Sequence, residues 1–210
     1  MSFYPELDHL TLQELIACFQ GSPLEGEEYA DVYYQEVANL IGAQGEAGIA
    51  FLQGEIKKAD TARLRGILFA FTEAQLDNPE FRDLLRSYLH DEQPTIVMEA
   101  VDSLRMLGDK DSVEQVLALL EHPSPYVRGS VLRYMRCLYP NKALPVLIEA
   151  LKNPDYIVRE NAADELGELY EVEAIPYLRP LLADSHVDVR EAAQTAIAIL
   201  EESESDKIIH

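Results

Sequence analysis

Histidines, cysteines and a glycine-rich turn are the residues of this chain whose chemistry would go beyond packing. His9, His90, His122, His186 and His210 are scattered. No two of them fall on one helix face at the spacing a metal site needs, so they are read as surface or capping residues. Cys18 and Cys137 stand far apart without a partner motif, which predicts no disulfide framework and a reducing, cytoplasmic setting. Gly42, Gly45 and Gly48 in GAQGEAG have the spacing of a phosphate-cradling loop. They follow a helical pattern instead of a strand, and no Lys or Ser/Thr stands nearby, so a turn between helices is expected. Neither a nucleophile elbow nor an activated-cysteine arrangement is present. Carboxylates are too abundant for any pair to indicate acid–base work. The expectation is a protein without catalytic residues, cofactor or metal.

Charge narrows the partners. The 210 residues carry 38 Asp or Glu against 17 Lys or Arg, a net charge of −21. Nine acids and no Lys or Arg occur in the first 50 residues, and the first basic residue is Lys57. Such a field repels a phosphate backbone and forfeits the counterion release that drives non-specific nucleic-acid binding. Anionic membrane surfaces are disfavoured for the same reason. The acid either keeps the protein soluble or steers a basic partner. The opening MSFYPELDHL lacks the basic and apolar regions of a signal peptide, and no apolar run is long enough to span a membrane.

Any binding surface must be positioned by what the rest of the sequence spells out, a unit of about 31 residues repeated four times. Leu89, Leu120, Leu151 and Leu182 form one column; Ile96, Val127, Val158 and Val189 a second; Ala100, Val131, Ala162 and Ala193 a third. Leu104, Met135, Leu166 and Ile197, then Leu107, Leu138, Leu169 and Leu200, complete five apolar columns in register. A unit of this size cannot bury its apolar face alone, so units stack. The fold class is all-α, an α-solenoid of antiparallel helix pairs, read as one continuous domain. Residues 1–80 form a degenerate N-terminal cap and repeats, 81–204 four regular repeats, and 205–210 a polar tail.

In the third unit, residues 143–152 and 156–170 have apolar spacing suited to a first and a second helix. Pro154 is expected just inside the second helix with Asn153 capping it, and Pro145 and Pro176 in the first turns of theirs. Upstream, residues 32–41 and 63–71 read as second helices of two degenerate units, behind an irregular cap built on LTLQELIACF.

The repeat length, the paired helices and the tripeptides Tyr126-Val127-Arg128, Ile157-Val158-Arg159 and Asp188-Val189-Arg190 resemble HEAT repeats. More narrowly, NPDYIVRENAADELGEL and DSHVDVREAAQTAIAIL are similar to the HEAT-like repeats of cyanobacterial phycobilisome lyases and their relatives, over residues 81–200. That resemblance implies a ladder of hydrogen bonds between an Asp or Asn in the interhelical turn and an Arg six residues later. Asn153 with Arg159 and Asp184 with Arg190 fit; His122 replaces the acid before Arg128, and Val97 the arginine after Asp91. The role implied for these arginines is structural.

With Val158, Ala162, Leu166 and Leu169 facing the core, positions near 160, 164 and 168 point away from it. In HEAT-type stacks this stripe lines the concave face. It reads Met98, Asp102, Met106, with Arg105 beside it; then Arg133, Arg136, Cys137; then Glu160, Asp164, Glu168; then Glu191, Thr195, Ile199. Methionines adapt to apolar partners and arginines pair with carboxylates. The expected function is a non-catalytic scaffold, adaptor or assembly factor that binds another protein along that face. The alternative implied by the resemblance is a phycobilin lyase-like subunit. There Arg105, Arg133 and Arg136 would meet the propionates of an open-chain tetrapyrrole destined for a phycobiliprotein.

Overall fold

The spacing of the apolar columns reappears as a spacing of helices. The computed structural model describes residues 4–23 and 29–209, and among these the secondary structure is helical throughout, with no strand. The helices are α1 (Leu12–Gln20), α2 (Ala30–Gly42), α3 (Glu46–Glu55), α4 (Thr61–Glu73), α5 (Pro79–Tyr88), α6 (Pro94–Met106), α7 (Val113–Ala118), α8 (Pro125–Leu138), α9 (Pro140–Ala150), α10 (Tyr156–Leu169), α11 (Ile175–Leu178) and α12 (Val187–Ile209). The even-numbered helices are the second members of pairs. They begin at residues 30, 61, 94, 125, 156 and 187, a step of 31 residues broken by a single 33 between α4 and α6. Residues 32–41 and 63–71 fall inside α2 and α4, and LTLQELIACF carries α1. Helix α12 continues through the segment read as a polar tail as far as Ile209; His210 lies outside the described residues.

The chain divides into two compact units, Met1–Asp109 and Lys110–His210. In the first, α4 packs between α2 and α6; in the second, α10 packs between α8 and α12. The second and third apolar columns form the floor of this stacking, with none of their eight residues more than 2% exposed. The outer columns are less uniform. Leu107, Leu138 and Leu169 are only half-buried. Leu182 is 46% exposed.

Caps set most helix starts. Thr11 and Glu14 close a capping box on α1, Asp60 accepts from the Arg63 N–H of α4, and Asn78 accepts from the Phe81 N–H of α5 at 2.8 Å. Pro94 and Pro125 occupy first-turn positions where the missing N–H has no intrahelical partner to lose. Two boundaries differ from the sequence reading. Helix α10 starts at Tyr156 and its cap is Asp155, which accepts from the Ile157 N–H at 3.0 Å. Asn153 instead holds the turn, accepting from the Asp155 N–H at 3.0 Å, and Pro154 lies outside the helix. Helix α9 starts at Pro140, so Pro145 sits in its interior and cannot donate to the Asn141 carbonyl one turn back. Pro176 does fall in the first turn of α11.

The pairs implied by the resemblance, Asn153 with Arg159 and Asp184 with Arg190, meet through the turn carbonyl and not through the side chain, and the side-chain partner of Arg159 is an acid of the next repeat. Arg159 donates through Nη1 to the carbonyls of Asn153 and Pro154 in its own turn, at 2.8 and 3.1 Å. Its Nε and Nη2 donate to the carboxylate of Asp184 in the next repeat, both at 2.8 Å. Arg190 repeats the turn contacts on the Asp184 and Ser185 carbonyls at 2.8 and 3.2 Å. Arg128 does so on His122 and Pro123 at 2.6 and 3.1 Å. The acid that Arg128 reaches is Asp155, at 3.5 Å, so Asn153 contributes its carbonyl and its turn geometry while the charge comes from two residues on.

The glycine-rich turn has a packing role. Gly45 adopts φ 79° between α2 and α3, and Gly48 lies so close to α2 that a Cβ there would stand 1.8 Å from the Ile41 carbonyl oxygen. Gly54, on the same helix, has nothing within 4 Å of that position. Gly48→Ala should therefore destabilise the protein by about 3 kcal/mol through overpacking. Gly54→Ala should stabilise it by about 0.5–1 kcal/mol through helix propensity. Urea unfolding of the two variants beside the wild type checks both signs.

Candidate functional site

Once the core-facing residues are assigned, each second helix retains a stripe that stacking does not use. On α6 this stripe holds Met98 and Asp102, both half-buried, and Met106, 49% exposed. Arg105 donates through Nε to Asp102 one turn back at 3.2 Å. On α10 Glu160 is half-buried, while Asp164 and Glu168 are exposed. Helix α12 adds Glu191 and Thr195, both exposed. On α8 the corresponding Cys137 is exposed and Arg133 half-buried.

Arg133 and Arg136 are held by a residue that the periodicity did not single out. Both converge on Glu165 of α10, Arg133 Nε donating to Oε1 at 3.1 Å and Arg136 Nε to Oε2. Glu165 is 5% exposed. These two cations therefore clamp α8 to α10 around a buried carboxylate. A charge reversal at either would set acid against buried acid and test folding instead of binding. The first unit has its own version of this arrangement. Arg65 of α4 pairs with Asp31 of α2 at 2.6 Å and with the buried Glu99 of α6 at 3.4 Å, one ionic rung across three stacked helices. Asp31, Arg65 and Glu99 follow one another at steps of 34 residues. That charge period was readable in the sequence beside the apolar one.

Several carboxyls on and beside the second helices are held away from their ordinary range. Burial pushes Glu99 up to about 7, against the pull of Arg65. Asp164, exposed as a residue, has its carboxyl crowded by neighbouring side chains and is raised to about 6, first by that desolvation and then by Glu160 and Glu165 beside it. Glu160 is also raised, by burial and by Asp188 on α12, with His186 opposing. The ring of His186 stacks on Tyr156 with centroids 3.5 Å apart. In contrast, the Arg159 fork holds Asp184 down to about 2. Among the described residues no group of three or more His, Cys, Asp or Glu is placed to hold a metal ion. None of the described helices is long and apolar enough to cross a membrane.

These shifts set the pH dependence. Glu99 and Asp164 ionise later in the folded protein than at their reference values of 4.5 and 3.8, so the folded state binds more protons across the interval and loses stability as pH rises through it. Asp184 has the opposite sign, its contribution being lost as pH falls from about 4 toward 2. Stability should peak near pH 4–5 and decline toward pH 8, Glu99 supplying about 3 kcal/mol of the decline at most. Glu99→Gln should flatten that decline, as read from urea midpoints at pH 5 and pH 8.

A family model for HEAT repeats matches residues 50–132 and 113–198. Among solved structures, an engineered protein superposes with a TM-score of 0.53 at 15% identity, covering 91% of this chain and 97% of that one. A second engineered protein gives 0.52 at 17% identity, with 92% and 99% covered. The complex of CpcE and CpcF of phycocyanin lyase from Nostoc sp. PCC7120 gives 0.46 at 18% identity, with 95% and 99% covered. No curated protein matches the sequence. At these identities the structural likeness concerns the fold alone. The two matched segments together span residues 50–198, and with the stacked second helices and the arginine ladder between repeats they make this chain a member of the HEAT-repeat family.

Proposed function

We propose that this protein is a non-catalytic scaffold that binds a client protein along the faces made by its second helices, as an adaptor or an assembly factor. The observation that carries the reading is the division of labour on those helices. Stacking is completed by buried alanines, glycines and ionic rungs, and what remains is a solvent-facing stripe with its own chemistry, Met98, Asp102 and Met106 on α6 and Glu160, Asp164 and Glu168 on α10. Met106, half exposed on a second helix, offers an adaptable apolar contact that the core does not use. A net charge of −21 directs the choice of client away from nucleic acid and anionic membrane and toward protein.

The test is affinity capture from an extract of the source organism, comparing the wild type with Met106→Glu and with Glu168→Lys. Both residues are exposed, so both variants should melt within a few degrees of the wild type. A client retained by the wild type and depleted about tenfold by either variant supports the reading. Equal retention by all three proteins removes the second-helix faces from the interaction. A coloured eluate with a bilin spectrum would replace the scaffold reading with the handling of an open-chain tetrapyrrole.

A further inference from the structure

The second-helix face of the first unit contains a hollow of about 690 Å³ between α2 and α4. Val32 and Phe69 contribute apolar surface to it, Tyr4 and Tyr29 aromatic rings, and Glu36 its one charge. Tyr4 is fixed by an edge-on contact with Tyr33, ring centroids 5.3 Å apart, and Tyr29 is 61% exposed. Each arginine of this unit is committed to acids of the same unit: Arg63 to Asp60, Arg65 to Asp31 and Glu99, Arg82 to Asp77 and Asp109, Arg86 to Asp83 and Asp109, Arg105 to Asp102. None of them pairs with Glu36.

We infer that this hollow takes an arginine side chain from a basic segment of the client. The inference rests on the scaffold reading and names the chemistry of its partner. A purely apolar segment would bury Glu36 without a partner, which is unfavourable. An arginine satisfies every wall at once. Its methylenes cover Val32 and Phe69, its guanidinium plane stacks on tyrosine, and its fork pairs with the carboxylate. The volume exceeds what one side chain needs, so a short stretch of main chain enters with it. The net charge of the protein, −21, has the matching sign.

The experiment uses the full chain and a fluorescein-labelled dodecapeptide of alternating arginine and glycine, read by fluorescence anisotropy at about 0.1 M salt. The control peptide carries citrulline in place of arginine, which keeps the shape and removes the charge. Glu36→Gln should weaken the arginine peptide about five- to tenfold, and so should Phe69→Ala. The second-unit variant Glu114→Gln with Glu149→Gln, both exposed on the first helices α7 and α9, should change it less than twofold. Glu36→Gln is isosteric and alters no core residue, so it keeps the test valid where Phe69→Ala unfolds. Equal binding of the citrulline peptide would overturn the inference, as would a larger loss in the second-unit variant than in Glu36→Gln. If the native client is lost on Met106→Glu while the arginine peptide ignores Glu36→Gln, the scaffold reading stands and this inference falls.

Discussion

Each helix pair has an apolar face that only the next pair can cover, and the remaining features of both units follow from meeting that need at short range. Ala100, Ala162 and Ala193 are fully buried on the second helices α6, α10 and α12. Gly66 of α4 lies where a Cβ would be 2.7 Å from the Tyr34 carbonyl oxygen of α2. Small residues at these points let the helices approach closely enough for Ile96, Val127, Val158 and Val189 to lose nearly all contact with water. Cooperativity arises from the same arrangement, since removing one pair exposes the flank of the next.

Close approach also brings charge into the stack. Glu99, Asp109 and Glu165 are at most 9% exposed, and each meets one or two arginines of its own unit. Desolvation offsets much of the attraction in such pairs, so their strongest physical consequence is selectivity: an out-of-register stack would leave a carboxylate buried and unpaired. The raised carboxyl at Glu99 is the visible remainder of that desolvation, and the lowered one at Asp184 marks a rung where a two-pronged guanidinium more than compensates. The surface inherits what is left. With arginines drawn inward, Asp164, Glu168 and Glu191 are displayed on the stripes of α10 and α12, and Glu36 lines the hollow of the first unit.

Periodicity in the sequence revealed the repeat, the helix pairing and the position of the second helices, because a column such as Ile96, Val127, Val158 and Val189 can have no other geometric meaning. It also placed Met106, Asp164 and Glu168 on solvent-facing positions. What it could not resolve was which neighbour a long side chain reaches. Arg133 and Arg136 have the spacing of a groove lining, yet their guanidiniums turn back to Glu165 on the adjacent helix. Arg159 likewise passes over Asn153's side chain for Asp184, 25 residues on. Helix starts shifted for a local reason, Asp155 and Pro140 being better placed for first-turn geometry than Asn153 and the residues before Pro145.

The most direct test of the account is photocrosslinking of the protein to its captured client from single positions. Positions 106 and 168 lie on the second-helix stripes, and positions 114 and 149, also exposed, on the first helices α7 and α9. The account predicts client adducts from 106 and 168 and none from 114 and 149. Adducts from 114 and 149 alone would place the client on the first helices and contradict it.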